Sequence, residues 1–512
     1  MTVALRGSPV FANLEVRTAI SAVQSSYEAD KQLESILKGK PMQQQTNHRP
    51  TAILLGAILG IASFAAAANC QSIQSQLAAE QNWKTVPAGG EVARPADEAT
   101  LAHWWTVFND PILTSLEERA LKSNLDLRTA LSSIEQARAN RLSASGSLLP
   151  SVSASGNASG GRGSTRSGGQ VTHSNSVEFD ASWEPDFFGR VRKNVAAYDA
   201  DIQTAQENLR NTMVSLTAEV ALDYVSLRSY QSQIAVTQSN LAKYRETYEM
   251  TLAKRESGLS TDLDVSQALE TVQSTEATIP TLEINVQKTK NALAILLAER
   301  PGSLDAELSE VKPIPVIPAE VAVGIPGDLV RRRPDVRSAE RQVVAQSLRV
   351  GVAKANLYPS FTLSGTFLFS AQNILNVLTP ASLASSVAGS ISQTILNRRS
   401  LRAQVKLQNA LLDQYEISYD STLLGAVKDV ENSLLAFGQD QAKRKSLASA
   451  ALSSEQAADM SRELYASGLK DFLTVLDSER TMLTVENNLV QTDAAVDTDL
   501  IQLYKALGGG WK

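Results

Sequence analysis

The sequence contains one cysteine, Cys70, and three histidines, His48, His103 and His173. A single cysteine cannot form an intramolecular disulfide, which excludes the usual covalent reinforcement of small secreted proteins. The histidines lie far apart and no glycine-rich phosphate-binding loop occurs, so neither a metal-binding motif nor a nucleotide site is present in the sequence. These absences argue against an enzyme and against a resident metal or cofactor.

The sequence has no excess of basic residues. Lysine and arginine number 48 against 54 acidic residues, which gives a net charge of −6 and a pI near 5.4. This balance argues against a nucleic-acid-binding protein. The local exception is the triplet Arg331-Arg332-Arg333, whose position between Gly327 and Pro334 predicts a solvated helix start or a membrane-proximal patch.

Aromatic residues are also few, at 5% of a chain that is 43% hydrophobic. Residues 190–257 contain neither glycine nor proline, so they predict one helix about 100 Å long at 1.5 Å per residue. Apolar residues recur in this segment at every seventh position, as they do near the C-terminus, and this spacing predicts a coiled-coil seam. The two rows are Met213, Val220, Leu227, Ile234, Leu241 and Tyr248, and then Met482, Leu489, Val496 and Leu503.

The chain is internally duplicated, with the second copy about 210 residues after the first. The stretch LDLRTA at 125–130 aligns with PDVRSA at 334–339, and Ser257-Gly258-Leu259 aligns with Ser467-Gly468-Leu469. Gly258 and Gly468 are expected to form the turns at which each long helix reverses, because glycine permits positive φ. Each copy is therefore predicted to contain a helix, a β-hairpin and a long antiparallel helical hairpin.

Alternating polar and apolar residues predict two strands in each copy, each about 9 to 11 residues long, which suits a tilted membrane strand. The clearest alternation places Phe179 and Trp183 on one face and Glu178 and Asp180 on the other. The fourth strand is predicted from Val387, Ile391 and Ile395, which form a weaker pattern of the same kind. The fold class is thus mainly α with membrane β.

The N-terminal region carries a targeting signal. Residues 52–68 are apolar or small and too short for a comfortable membrane span, and Cys70 follows them at the position of an acylated lipoprotein cysteine. Cleavage after Ala68 by ordinary signal peptidase, and a retained anchor with an inert cysteine, remain as alternatives. The signal peptide is placed at 42–69, so residues 1–41 form a mis-annotated or dispensable upstream segment.

The other predicted segments follow from the repeat and its turns. The first repeat is preceded by a tether at 70–100 and begins with an equatorial region at 101–149, where a helical pattern runs from Leu113 to about Leu149; a first β-hairpin at 150–184 and a first helical hairpin at 185–300 follow. The second repeat comprises a linker and repeat start at 301–358, a second β-hairpin at 359–396 and a second helical hairpin at 397–507. The tail at 508–512 contains glycines that stop the last helix.

Four membrane-length strands cannot close a barrel by themselves, because an open edge in lipid leaves backbone polar groups unsatisfied. The chain is therefore expected to oligomerise. The acidic strand face needs water and the aromatic face needs lipid, which indicates a water-filled lumen. Such a barrel, continued by coiled coils about 100 Å long, would be a conduit.

The sequence resembles the TolC/OprM-type outer-membrane factors, and in particular the NodT-like lipoprotein branch associated with RND efflux pumps. The resemblance rests on the motifs WWTVFNDPIL at 104–113, NLDL at 124–127, RRPDVRSAER at 332–341 and AKANLYP at 353–359. It implies a homotrimer with a 12-stranded β-barrel and a periplasmic α-helical barrel, embedded in outer-membrane lipid. It also implies two partners, a periplasmic adaptor protein and an inner-membrane RND pump.

The resemblance further implies a gate at the periplasmic helical tips, with aspartates lining a constriction. The residues assigned to the gate are Asp264, Asp471 and Asp477, together with Tyr465 and Lys470, which resemble the tyrosine and basic residue that tie the closed state. Ser260 stands where the first repeat would have its basic residue. The alternative is that Asp264, Asp471 and Asp477 are helix N-terminal acids that stabilise the helix dipole.

Three functions fit these observations. The first is a passive exit duct that carries small molecules out of the cell for an RND pump. The second is the exit duct of a type I protein secretion system, which has the same fold. The third is a coiled-coil scaffold of the cell envelope that conducts nothing.

Overall fold

In the computed structural model, the residues described are 101–162, 169, 171–315 and 332–511. The predicted upstream segment, signal peptide and tether, including Cys70, lie outside the described residues, as does Arg331. The α-helices of the described part are α1 (Pro111–Ser123), α2 (Leu125–Gly146), α3 (Arg190–Glu256), α4 (Asp262–Glu276), α5 (Ile279–Leu296), α6 (Pro334–Ala355), α7 (Arg398–Ala466) and α8 (Phe472–Ala506).

The first helical region is two helices, so the prediction of one helix from Leu113 to about Leu149 was wrong. Helix α1 begins at Pro111, where the carboxylate of Asp110 accepts from the backbone N–H of Ile112 at 2.8 Å. Helix α2 begins after Asn124, whose side-chain oxygen accepts from the Asp126 N–H at 2.8 Å. At each helix start the capping side chain accepts a hydrogen bond from a first-turn backbone N–H group. The interruption between the two helices therefore has a small free-energy cost.

The long helices confirm the predicted seams. Helix α3 has 67 residues and α7 has 69, and the predicted heptad residues on α3 and α8 are buried or half-buried. The helix that returns along α3 is interrupted between α4 and α5, with Pro280 in the first turn of α5, whereas α8 returns along α7 unbroken. None of the helices in the described ranges is both long and apolar enough to cross a membrane.

The turns at the ends of α3 and α7 follow the predicted glycines. Gly258 has φ +76° and Gly468 has φ +74°, both in the left-handed region. In each turn the next N–H reaches back over the end of the helix, from Leu259 to the Lys254 carbonyl at 2.8 Å and from Leu469 to the Leu464 carbonyl at 2.9 Å. This pattern satisfies helix C-terminal carbonyls that would otherwise lack partners.

The four predicted strands form one antiparallel sheet in the order β1-β2-β3-β4. The strands are β1 (Ser151–Arg162), β2 (Val171–Trp183), β3 (Ser360–Ala371) and β4 (Leu383–Ser392). They contain 12, 13, 12 and 10 residues, so three are longer than expected, and Ile395 lies beyond the end of β4. The two repeats meet at the centre of the sheet, between β2 and β3.

The register of β2 and β3 keeps the predicted faces separate. Phe179 lies opposite Phe367 and Val177 opposite Phe369, whereas Asp180 lies opposite Thr366 on the other face. Strands β1 and β4 are the edges of the sheet, and both are exposed along their full length. The sheet therefore ends in two unpaired edges within one chain.

The main hydrophobic core lies where α1, α3 and α8 converge. Trp104 is fully buried and Trp105 is 2% exposed, and the Trp104 ring stacks on Tyr504 with 5.5 Å between centroids. The tryptophan pair therefore packs inside the core. Around them the core contains large aliphatic side chains, including Leu113, Leu116, Leu227, Leu293, Leu500 and Leu503.

The C-terminal glycines do more than stop α8. Gly508 has φ +73° just after the helix, as expected, but Gly509 and Gly510 are threaded into the core. The Gly510 N–H donates to the Leu101 carbonyl at 2.9 Å, and Trp511 lies between Arg210 and Arg337, with 4.8 and 5.4 Å from ring centroid to guanidinium carbon. The tail thus joins the two ends of the described chain.

Arg333 is not a solvated residue, so that part of the triplet prediction was wrong. Its side chain is 13% exposed and pairs with Asp335 at 2.7 Å and with Asp429 at 3.5 Å. It also donates to the Ala506 carbonyl at 3.1 Å. The residue does precede a helix start, because α6 begins at Pro334, but its charge ties the start of α6 to the middle of α7 and to the end of α8.

Gly510→Ala is expected to destabilise the protein by about 1–3 kcal/mol, because core overpacking has this cost. A Cβ at Gly510 would lie 2.4 Å from Thr217 Oγ1, and its φ of +96° is strained for any other residue. Thermal unfolding in detergent, followed by circular dichroism, measures the effect. Gly146→Ala is the control, because nothing lies within 4 Å of that position. Equal melting temperatures for the two variants would contradict the packing role of the tail.

Candidate functional site

The tips of the two helical hairpins are packed against each other. Tyr465 at the end of α7 and Phe472 at the start of α8 form a buried cluster with Ala268 of α4. Tyr248 and Met250 of α3 pack against the same cluster. The two repeats therefore meet at their tips in a small separate core, at the place where the sequence predicts a gate.

The predicted tip tyrosine is a central residue of this contact. Tyr465 is 5% exposed, and its hydroxyl donates to Thr251 Oγ1 of α3 at 3.3 Å. The ammonium of Lys254 donates to the Tyr465 carbonyl and lies 4.2 Å from the centroid of its ring. Two interactions of one lysine thus connect the end of α3 to the end of α7.

Lys254, rather than Lys470, is the basic residue that the structure brings to Tyr465. Lys470 is exposed in the turn before α8, next to the capping residue Asp471. The sequence signal for Lys254 is its place one helical turn before Gly258. The resemblance pointed to Lys470, which follows the tip glycine of the second repeat. It therefore missed Lys254, which precedes the tip glycine of the first.

Asp264 is held in a capping box at the start of α4. Its carboxylate accepts from the Thr261 N–H at 2.9 Å and from the hydroxyls of Thr261 at 2.8 Å and Ser260 at 2.9 Å. Partial burial raises the pKa of this carboxyl, but these hydrogen bonds outweigh burial and hold the pKa below its ordinary value. Asp264 therefore has the local role of a helix N-terminal acid.

Asp471 has the same local role in the second tip. It is the N-cap of α8 and accepts from the Thr474 N–H at 3.0 Å, and the Thr474 hydroxyl also donates to it. These hydrogen bonds lower the pKa of the exposed Asp471 carboxyl. The first tip has a threonine cap with an aspartate three residues later, and the second has an aspartate cap with a threonine three residues later.

Asp477 differs from both capping aspartates. Its side chain is exposed on α8, and within the described residues it has neither a hydrogen bond nor an ion pair. A carboxylate with this environment stays hydrated and keeps its charge available to ions in solution. Of the predicted acids, Asp477 is therefore the one whose surroundings fit a charged constriction.

A buried polar cluster beside the tips was missed at the sequence level. Glu479 of α8 is 1% exposed, and it accepts from the Thr247 hydroxyl of α3 at 2.7 Å. The Nε of Arg462 on α7 lies 3.5 Å from the same carboxylate oxygen, and the Tyr244 hydroxyl donates to the Glu479 carbonyl at 3.0 Å. Three long helices thus meet at one carboxyl group.

Burial controls the protonation of Glu479. It raises the pKa of the carboxyl from an ordinary value of 4.5 to about 7, against the lowering effects of Thr247, Arg462 and Lys243, while Glu246 raises it further. A group of this kind changes charge near neutral pH, so the contact between the two hairpins depends on its proton. No sequence pattern marks this residue, because its burial depends on three helices at once.

Among the residues that the structure describes, no group of three or more histidine, cysteine, aspartate or glutamate side chains could hold a metal ion. The polar groups at the tips are instead engaged with one another across the two repeats. Their arrangement can hold the hairpins together and can release them when these bonds break.

The pH dependence of stability is expected to change in Glu479→Gln. The folded-state pKa lies above the unfolded value, so the carboxyl stabilises the fold fully below about pH 4.5 and loses this contribution as the pH rises through about 7. Relative to the glutamine variant, the wild type should lose about 1–3 kcal/mol between pH 5 and 8. Thermal unfolding at several pH values measures this difference. Parallel pH profiles would contradict it, and Glu463→Gln, an exposed site on α7, is the control.

Comparison with known proteins places this architecture in a family. The model of the family described as "Outer membrane efflux protein" matches residues 116–299 and 325–509, one match for each repeat. The chain is 32% identical over 420 residues to nodulation protein T of Rhizobium leguminosarum bv. trifolii, covering 81% of this chain and 89% of that protein. It is 27% identical over 473 residues to a probable efflux pump outer membrane protein, TtgC, of Pseudomonas putida, covering 90% and 94%.

A solved structure has the same fold. The outer-membrane channel OprN aligns with a TM-score of 0.78 and 32% identity, covering 85% of this chain and 97% of that one. The chain belongs to the outer membrane efflux protein family, whose members are channels rather than enzymes, and it is an outer-membrane efflux channel that extends into the periplasm.

Proposed function

We propose that three copies of the chain form a closed tube that passively conducts small molecules from an RND pump to the cell exterior. The observation that carries this proposal is the four-stranded sheet, whose edges β1 and β4 have no partner strand among the described residues. Strand order makes these two edges antiparallel, so β4 of one copy can pair with β1 of the next. Three sheets joined in this way would form a 12-stranded barrel without open edges.

The helices supply the periplasmic part of the tube. Helix α3, with 67 residues, would extend about 100 Å from the sheet. The lumen of the barrel would be lined by the polar sheet face, which includes Glu178 and Asp180, and its lipid side by Phe179 and Phe367. A passive duct fits a chain whose sequence contains no nucleotide-binding motif.

The helical tips would form the gate. A three-fold axis would bring three copies of Asp477 together, and three hydrated carboxylates favour cations in a narrow pore. Tyr465 and Lys254 would hold the closed arrangement, because they join the two hairpins of one chain. Asp264 and Asp471 would keep the ends of their helices intact, and Lys470 remains free to contact another copy.

A periplasmic adaptor would dock at the same tips. Leu259 and Leu469, which are equivalent in the two repeats, are 77% and 72% exposed directly after the turn glycines. Large exposed leucines at both tips suit an apolar contact with a helical adaptor protein. The relatives named as efflux pump outer membrane proteins favour an RND pump as the energy source over a type I secretion system.

Lipid attachment at Cys70 is part of the proposal. The cysteine follows an apolar signal segment, and a single acyl-bearing cysteine would anchor the N-terminus in the membrane that holds the sheet. Intact-mass analysis of the mature protein would identify both the acyl chains and the first residue. A mature protein that begins before residue 70, or whose mass includes no acyl chain, would exclude this attachment.

Deletion of the gene is expected to raise the intracellular accumulation of dyes or drugs and to leave the set of secreted proteins unchanged. A dye-accumulation assay beside a proteomic comparison of culture supernatants measures both outcomes. Restoring the intact gene on a plasmid is the control. Unchanged accumulation with loss of a secreted protein would support a type I secretion duct instead.

Asp477→Asn is expected to lower the cation-to-anion permeability ratio of the channel toward one, because it removes the hydrated charge from each copy. The reversal potential in planar bilayers under a salt gradient measures this preference. Asp262→Asn is the matched control, since Asp262 is an exposed tip residue that already pairs with Arg255 at 2.7 Å. Equal changes of this ratio in both variants would show that Asp477 has no special position. If neither the wild type nor Asp477→Asn conducted ions, a non-conducting scaffold would be favoured instead.

A further inference from the structure

The two repeats of one chain touch through helices α3 and α6. Arg337 Nη2 of α6 lies 2.7 Å from Glu207 Oε1 of α3, and Glu207 is only 5% exposed. The next residue, Ser338, donates its hydroxyl to Asn208 Oδ1 at 2.7 Å. This pair of contacts fixes how the second repeat sits against the first.

The first repeat contains counterparts of the two α6 residues. The stretches LDLRTA and PDVRSA place Arg128 where the second repeat has Arg337, and Thr129 where it has Ser338. Arg128 and Thr129 lie on α2, and both are exposed. Within the described residues, Arg128 has no ion pair, so its charge lacks the partner that Arg337 has.

The counterpart of Glu207 lies on α7. Helix α7 has 69 residues and α3 has 67, so the alignment depends on whether it starts from the turn residues Gly189 and Asn397 or from the tip glycines. The first alignment places the counterpart at 415 and the second at 417. Glu416 is the only acidic residue in this interval.

Among the described residues, Glu416 forms no ion pair with a lysine or an arginine. Its carboxyl is half-buried, and burial raises its pKa, as do the negative charges of Asp413 and Asp420. One oxygen of Asp420 is buried and has no hydrogen-bond partner among the described residues. An arginine brought to this cluster would relieve the repulsion and supply the missing donors.

We propose that Arg128 of one copy pairs with Glu416 of the adjacent copy, so that the contact between copies repeats the contact between repeats. This inference rests on the proposed trimer and specifies its interface. Exposed apolar residues flank both partners and would be covered by the same contact. They are Leu131 and Leu142 on α2, 40% and 69% exposed, and Ile417 and Leu424 on α7, 69% and 53% exposed.

Zero-length cross-linking tests the pair directly. In Arg128→Lys, a carbodiimide condenses the new amine with the Glu416 carboxylate to an amide, with loss of water. Mixed trimers of isotopically labelled and unlabelled full-length protein should give a cross-linked peptide that contains both labels. The wild type is one control, because arginine does not react, and the double variant Arg128→Lys/Glu416→Gln is the other.

Charge reversal gives an independent readout. Arg128→Glu and Glu416→Arg should each lower the temperature at which the trimer dissociates by several degrees, and the double variant should recover most of this loss. Arg128→Glu combined with Glu283→Arg, which changes an exposed acid on α5, should recover nothing. Recovery by both combinations would mean that net charge alone is responsible, and this would overturn the pair.

The two levels of the proposal fail differently. A monomer in native mass spectrometry would overturn both the trimer and this interface. An intact trimer without the mixed-label peptide, or without recovery in the double reversal, would overturn the Arg128–Glu416 pair and leave the proposed duct standing.

Discussion

The structure depends above all on the need of backbone hydrogen-bonding groups for partners in a membrane. A sheet of four strands satisfies its central pairs, between β2 and β3, but leaves the outer sides of β1 and β4 without partners. In lipid those groups have no water to bond, so a single chain is an incomplete unit. Its duplicated architecture is consistent with this, because each repeat would supply one hairpin and one pair of long helices to the proposed ring.

The long helices need a different way to bury their apolar residues, because a globular core cannot cover helices of this length. Heptad rows on α3 and α8 supply a continuous apolar seam, and the main core forms only where α1, α3 and α8 converge around Trp104. The C-terminal glycines complete that core by admitting backbone where any side chain would collide. Most of the buried hydrophobic packing thus lies around Trp104, and the tips are joined by a few polar contacts and one small cluster.

The repeats match in scaffold and differ at the tips. In the first repeat the return helix is interrupted before α5, and an aspartate completes the capping box; in the second, α8 is continuous and an aspartate is the cap itself. Lys254 of the first repeat reaches Tyr465 of the second, and Glu479 of the second is buried against Thr247 of the first. The contacts that join the two tips within a chain are therefore contacts between unlike partners.

The sequence by itself determined the duplication, the four strands, the long helices with their seams and the glycine turns, because these follow from local periodicity and from residues with special backbone freedom. It also placed Tyr465, Asp471 and Asp477 close together at the second tip and Asp264 at the first. Only the tertiary structure decided which of these residues touch. Lys254 replaces Lys470 beside Tyr465, Arg333 is tied to Asp429, and Glu479 is buried, because each of these contacts joins residues far apart in sequence. Periodicity shows which face of a helix is covered, but the neighbour that covers it depends on how several helices pack together.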